Sequence, residues 1–263
     1  MSEFPHSLRE INQLPQAEKE EIYSHLIPSW LLEDYSIDPE TFMNQGNRVV
    51  QFRCPEKTRA LEITVKRYAT DIDPIMYLNM ADTFNGQLLV LLVVVNDPDA
   101  KRYHIDVDES GNRTNFGTSS RNIPAEIEAM KAGLSPGQIR KGLRVFRQTL
   151  PMFENFVDKM GHDMFLIEPL SYHNAIAFEG YGFNYMKGLA DMKKIHQAFL
   201  PEGDLYQKLT PTNPFRQPDA WKTVRGRSWA IHDGILGYPF TGFQMYKRLG
   251  HNANVNSFPD ALW

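Results

Sequence analysis

The chain has 263 residues, 42% of them hydrophobic and 12% aromatic, with a net charge of −4 and one cysteine. That composition supplies a sizeable core and excludes an intrinsically disordered chain. The acidic balance, with a pI near 6.1, argues against non-specific binding to nucleic acid or to an anionic membrane.

The single cysteine, Cys54, excludes an intramolecular disulfide and a thiolate metal cluster. It reads as a small buried side chain at the end of a strand rather than as a nucleophile. The opening segment MSEFPHSLREINQLPQ lacks the basic and apolar blocks of a secretion signal. The longest apolar run, Leu88–Val95, is far short of the roughly 20 residues that cross a bilayer. A cytoplasmic, soluble protein is the expectation.

Residues 1–46 read as helical. Pro15 can start a helix that reaches Leu26, with Glu18, Glu20 and Glu21 in its first turns, where the helix dipole favours acids. Pro28 stops it, Ser29 opens a second short turn, and Asp38-Pro39 reads as a cap with a first-turn proline.

A sheet follows. Residues 48–54 and 59–67 are strand candidates joined by the turn Pro55-Glu56-Lys57. Residues 87–95 are apolar on both faces, which fits a central strand covered on two sides. Asp97-Pro98 turns the chain into a further strand at 102–108, so that these two runs read as an antiparallel hairpin. On that strand His104, Asp106 and Asp108 alternate and share a face. Such a set can hold a metal, supply a general base, or lie solvated on an edge.

Asp106 to Gly111 also starts like a calcium loop, but position twelve is Gly117 where a bidentate Glu is needed. A β-turn through Ser110-Gly111 explains the same residues. The polar stretch 109–123 is long for a loop inside a domain, a common mark of function. Asn122 caps a helix through Lys131, stopped by Gly133. Ser135-Pro136-Gly137-Gln138 then reads as a capping box that opens a helix to Met160, kinked near Pro151.

Gly161 ends that helix. An apolar strand at 164–167, a polar break, a short helix at 174–179 and a second strand at 183–186 follow. Residues 190–200 form an amphipathic helix. Residues 201–226, with Pro201, Pro211, Pro214 and Pro218, read as an extended wrap, and 229–263 is aromatic. There is no P-loop and no dinucleotide fingerprint. His232-Asp233 has no Ser or Cys in a G-x-S-x-G elbow.

The strand, short helix, Gly-Phe, strand order of 161–187 carries Asn174, Ala175, Phe178, Glu179, Gly182 and Phe183. It resembles the last third of the GNAT superfamily of N-acyltransferases, whose members often show N-A-x-x-F-Y-E-x-x-G-F there; Phe178 stands where the usual Tyr is. The resemblance implies an α+β fold, a GNAT-like mixed and largely antiparallel sheet flanked by helices. The core would be 47–200, with a helical N-terminal extension (1–46) and an irregular aromatic C-terminal one (201–263) in one compact unit.

It implies an acyl-CoA-dependent N-acyltransferase acting on an unknown amine, with acetyl-CoA or another acyl-CoA as co-substrate. In the family, a loop like R/Q-x-x-G-x-G/A at a helix start presents backbone amides to the CoA pyrophosphate, the general attraction of a helix N-terminus for phosphate. The corresponding residues here are Gln138, Arg140, Lys141 and Gly142, with Asn174 and Phe178 beside the thiol end; Arg144 stands where a second small residue is expected. Asp106 or His104 would be the base, and Tyr181 would protonate the leaving thiolate in place of Phe178.

Two other classes compete: a catalytically inactive GNAT-shaped protein that binds a ligand or partner, and a metal-dependent enzyme built on His104, Asp106 and Asp108. The expected partners are a small-molecule amine and acyl-CoA, with no nucleic acid and no membrane. A homodimer is left open.

Overall fold

The computed structural model describes residues 3–114 and 120–263. The chain divides into two compact units that interleave along the sequence, rather than breaking at residues 46 and 200. The first comprises Met1–Asp99, Gly142–Glu168 and Tyr246–His251; the second comprises Ala100–Lys141, Pro169–Met245 and Asn252–Trp263.

In the first unit three short helices, α1 (Leu8–Ile11), α2 (Gln16–Ser24) and α3 (Ser29–Asp34), precede a two-residue hairpin, β1 (Met43–Asn44) with β2 (Asn47–Arg48). A meander of β3 (Val50–Arg53), β4 (Ala60–Val65), β5 (Met76–Asp82) and β6 (Leu88–Val95) comes next. All three of its pairings are antiparallel. Alternation builds it: Leu61, Ile63 and Val65 of β4 and Met76, Leu78 and Met80 of β5 are buried on one face, each worth about 1.5–3 kcal/mol of apolar burial. Helix α4 (Ile123–Lys131) belongs to the second unit, and α5 (Phe146–Lys159) to the first. After α5, β7 (Met164–Ile167) pairs with β6 in parallel.

The second unit carries α6 (Tyr172–Gly180), β8 (Asn184–Lys187), α7 (Leu189–Phe199) and α8 (Val224–His232). Strand β9 (Gln244–Arg248) begins in the second unit and ends in the first. Seven strands hydrogen-bond in the order β3-β4-β5-β6-β7-β9-β8. The fold is therefore α+β, with a mostly antiparallel sheet flanked by helices. No helix among the described residues is long and apolar enough to cross a membrane.

Strands β3, β4, β6, β7 and β8 and helices α2, α4, α6 and α7 fall where the sequence puts them, within a few residues. Asn122 caps α4 as expected, its side chain accepting from the Ala125 N–H. Cys54 directly follows β3 and is buried, which raises its thiol pKa.

Several expectations need correction. Residues 102–108 are not a strand: Arg102 folds back to pair with Asp106 at 2.7 Å, and Asp108 accepts the N–H groups of Ser110 and Asn112. These local bonds replace a ladder. The antiparallel partner of β6 is instead β5, whose sequence Met-Tyr-Leu-Asn-Met-Ala-Asp has no β-branched residue. Ser135 opens no helix. Its N–H does bond the Gln138 side chain at 2.7 Å, but Gly137 at φ +82 turns the chain away, and α5 begins only at Phe146.

Asp38 closes a turn on Thr41 and Glu40 instead of starting a helix. The C-terminal part is also less irregular than expected, since α8 and β9 lie in it. The twelfth position of the calcium-like loop, Gly117, and the middle of the polar stretch 109–123 lie outside the described residues.

Candidate functional site

Strand β6 is aliphatic along its whole length, yet its partners run out midway. Val90 faces Ile167 of β7, and the Glu168 N–H reaches the Val90 carbonyl; the parallel register ends there. On the β5 side the register slips at the same point: Val90 pairs with Met80 and Leu92 with Asn79, so Leu91 is a bulge. Bulges bend a strand and end its pairing, and they recur beside functional sites.

Alternation then fixes which backbone groups are left. The Asn96 N–H goes to Ile75 beside β5, so the N–H and C=O of Val95 and Val93 turn to the opposite edge. Among the described residues no ladder partner follows Ile167 along that edge until Gly142 bridges Asn96. Gly142 fits there only as glycine, because a β-carbon would lie 2.9 Å from the Val95 carbonyl oxygen.

The chain passes from Gly142 into α5 through Arg144, at φ +57. Residues with a β-carbon rarely adopt that left-handed conformation, and where they do a ligand site is often near. Val145, the N-cap of α5, makes no side-chain cap. The Gln148 and Thr149 N–H groups close on the Val145 carbonyl, so the anion attraction of this helix start comes from its dipole together with the exposed Arg144 and Arg147.

Over the same face of β6 lies an apolar cavity of about 50 Å³. Val93 and Val95 form its floor, Leu150 and Phe153 of α5 one wall, and Leu26 and Trp30 another. Helix α5 shows how incomplete the cover is: Phe156 and Val157 in its second half are fully buried, while Phe146, Leu150 and Phe153 are only half-buried. All of these groups belong to the first unit.

The remaining residues singled out in the sequence lie in the second unit, except Gly142. His104 and Asp106 are both held by Arg102, the ring nitrogen of His104 at 2.9 Å. Among the described residues no three His, Cys, Asp or Glu side chains form a metal-holding group, and the strand that would align His104, Asp106 and Asp108 is absent. The backbone bonds to Asp108 hold its carboxyl below the usual range, that from Asn112 most. Gln138 is committed to Ser135 and Arg140 to the Ala100 carbonyl. Neither they nor Lys141 lie at a helix start.

Asn174 and Phe178 sit on α6. Phe178 is buried against Phe183, ring centres 5.2 Å apart, and is core. Tyr181 is the half-buried C-cap of the same helix. Glu179 is a structural strut: its carboxylate accepts from the Tyr185 hydroxyl at 2.6 Å and from the N–H and hydroxyl of Ser257 at 2.7 and 2.6 Å. His173 bonds Ser171 and Ser228, and burial pushes its pKa down to about 3.

Sequence reasoning missed Val93, Val95 and the first turn of α5. A run of eight aliphatic residues facing a four-residue partner strand was the available signal. Comparison with protein-family models, with curated proteins and with solved structures gives no match.

Proposed function

We propose that this chain is a GNAT-like acyl-CoA-dependent N-acyltransferase, and the observation that carries the reading is the backbone edge of β6 at Val93, which lies past the last β7 pair and short of the Gly142 bridge. An extended ligand with amide groups can add to such an edge as a strand does. The acyl-CoA thioester arm is a ligand of that chemistry. The uncapped start of α5, with Arg144 and Arg147 beside it, supports a phosphate-bearing group at one end of the edge. The apolar cavity supports an acyl group at its side.

In this reading the amine attacks the thioester carbonyl held along β6, and a backbone N–H of the edge stabilises the developing oxyanion. The C–S bond then breaks and the thiolate leaves, taking up a proton from solvent. The amine proton goes to solvent.

A second reading, a GNAT-shaped binder without catalysis, is favoured by one observation. The described residues that line the cavity include no acid or base, and the one hydroxyl among them, that of Thr149, is bonded back to the Phe146 carbonyl.

Titration of acyl-CoA tests the shared premise, because a ligand that binds only the folded state must raise Tm. A rise followed by acylation of any amine in a broad panel supports the enzyme. A rise with no acylation supports the binder, and no rise at millimolar ligand overturns both.

A further inference from the structure

The lining of the cavity says which acyl group it suits. Its floor is Val93 and Val95, its walls are Leu150, Phe153, Leu26 and Trp30, and among the described residues no charged side chain contributes. The polar residue Thr149 also lines it, but its hydroxyl is turned back to the Phe146 carbonyl at 3.2 Å. A charged or strongly polar acyl group would lose its water there and gain no partner.

Size narrows the class further. A volume of about 50 Å³ holds roughly three to five water-sized groups, since each needs on the order of 10–15 Å³ of this measure. The methyl of an acetyl group would leave most of that space unfilled, and a long fatty chain would fill it and run out past the half-buried Phe146, Leu150 and Phe153, where each further methylene loses less contact with water.

Resting on the acyl-CoA reading above, we infer that the protein selects a short, apolar acyl chain of about four to six carbons in preference to acetyl, to dicarboxylic acyl groups and to long fatty chains. The half-buried apolar faces of β6 and α5 are the surface this chain covers. Each methylene that enters strengthens binding about fourfold.

The experiment is a calorimetric titration of the full chain with acetyl-, butanoyl-, hexanoyl-, decanoyl- and succinyl-CoA, with free CoA as reference. Affinity should rise about fourfold per methylene from acetyl to butanoyl and on towards hexanoyl. It should stop rising before decanoyl, and succinyl-CoA should bind more weakly than butanoyl-CoA. Leu150→Trp fills the cavity and should flatten the series to the acetyl value; Val95→Phe does the same from the strand side if Leu150→Trp does not fold.

Equal affinity for acetyl- and hexanoyl-CoA, or tighter binding of succinyl-CoA, overturns the inference and leaves the acyltransferase reading standing. No binding of any member at millimolar ligand overturns both.

Discussion

Val90 and Ile167 are the last residues to face each other across the parallel pair of β6 and β7, and the next residue, Leu91, is the one that β5 leaves unpaired. One point in the strand therefore ends a pairing on one edge and slips the register on the other. A ladder that ended without the bulge would keep the Leu88 and Val90 face running on through 92 and 94. The bulge shifts that face to Val93 and Val95, which is why those two floor the cavity.

The backbone edge gives the first prediction. Val93 turns its N–H to the open edge and Leu92 turns its N–H to β5, so proline should be tolerated at one and not at the other. Val93→Pro should cost about 1 kcal/mol, and Leu92→Pro roughly 3 kcal/mol or more because it strips a ladder bond and orphans its acceptor on β5. Urea unfolding of the two variants measures this. If Val93→Pro is the more damaging, the alternation is misassigned. Val93→Pro should also weaken acyl-CoA binding at least tenfold in the proposed site.

Gly142 gives the second. Its φ is not in the left-handed region, so the demand for glycine is purely one of space: a β-carbon would sit 2.9 Å from the Val95 oxygen, closer than real contacts allow. Gly142→Ala must push the loop off the strand end and should cost about 1–3 kcal/mol, the usual range for overpacking. Gly86→Ala, where nothing lies within 4 Å but φ is +78, is the comparison for backbone strain without a clash. Unchanged stability in Gly142→Ala would place the loop elsewhere.

What the sequence revealed and hid follows from where the interactions lie. Periodicity and end signals found Leu88–Val95, the helix capped by Asn122 and the 164–187 segment, because each is encoded by neighbours a few residues apart. Strand β5 was hidden: its Met76 and Met80 become strand-like only when Val65 and Leu61 of β4 pair with them. The opposite error occurred at 102–108, where an alternating pattern lost to the Arg102–Asp106 pair and the Asp108 turn. The cavity could not be read locally, since it depends on where β7 stops beside β6. Gly142 was singled out for its motif position, and the structure gives it a different local reason.

His173 carries the third prediction, a dependence of stability on pH. Burial, with Arg225 and His232 adding to it, lowers its pKa from 6.5 to about 3. The folded state therefore keeps the ring neutral while the unfolded chain takes up a proton below about 6.5. Stability is then full above that pH and falls as pH drops towards 3, by about 1.4 kcal/mol per unit once well below 6.5. His196 is lowered too, by burial, and acts in the same direction. Glu126 and Asp233 are held low by their hydrogen bonds and ion pairs despite burial, so their loss begins only at more acid pH. Urea midpoints between pH 7 and 5 should show the slope in wild type and a shallower one in His173→Gln. Equal slopes would mean that His173 is protonated in the folded state or makes no difference to it.

The fourth prediction separates a structural Glu179 from a catalytic one. The carboxylate is buried and takes three bonds, from the Tyr185 hydroxyl and from the N–H and hydroxyl of Ser257. Burial and the charge of Glu179 together raise the Tyr185 pKa, so that hydroxyl stays protonated and donates. Removing the acceptor leaves three buried donors unsatisfied, each worth about 1–3 kcal/mol. Glu179→Ala should therefore cost on the order of 3–5 kcal/mol, and Glu179→Gln less, because its one carbonyl oxygen can still accept from the two hydroxyls while its NH2 group leaves the Ser257 N–H without an acceptor. Tyr185→Phe combined with Glu179→Gln should cost less than the sum of the two single changes, as expected for partners in one bond. Additive losses would show that the two side chains do not interact. A large fall in acyl transfer with stability intact would make Glu179 part of the chemistry instead of the frame that holds the C-terminal Ser257 to α6.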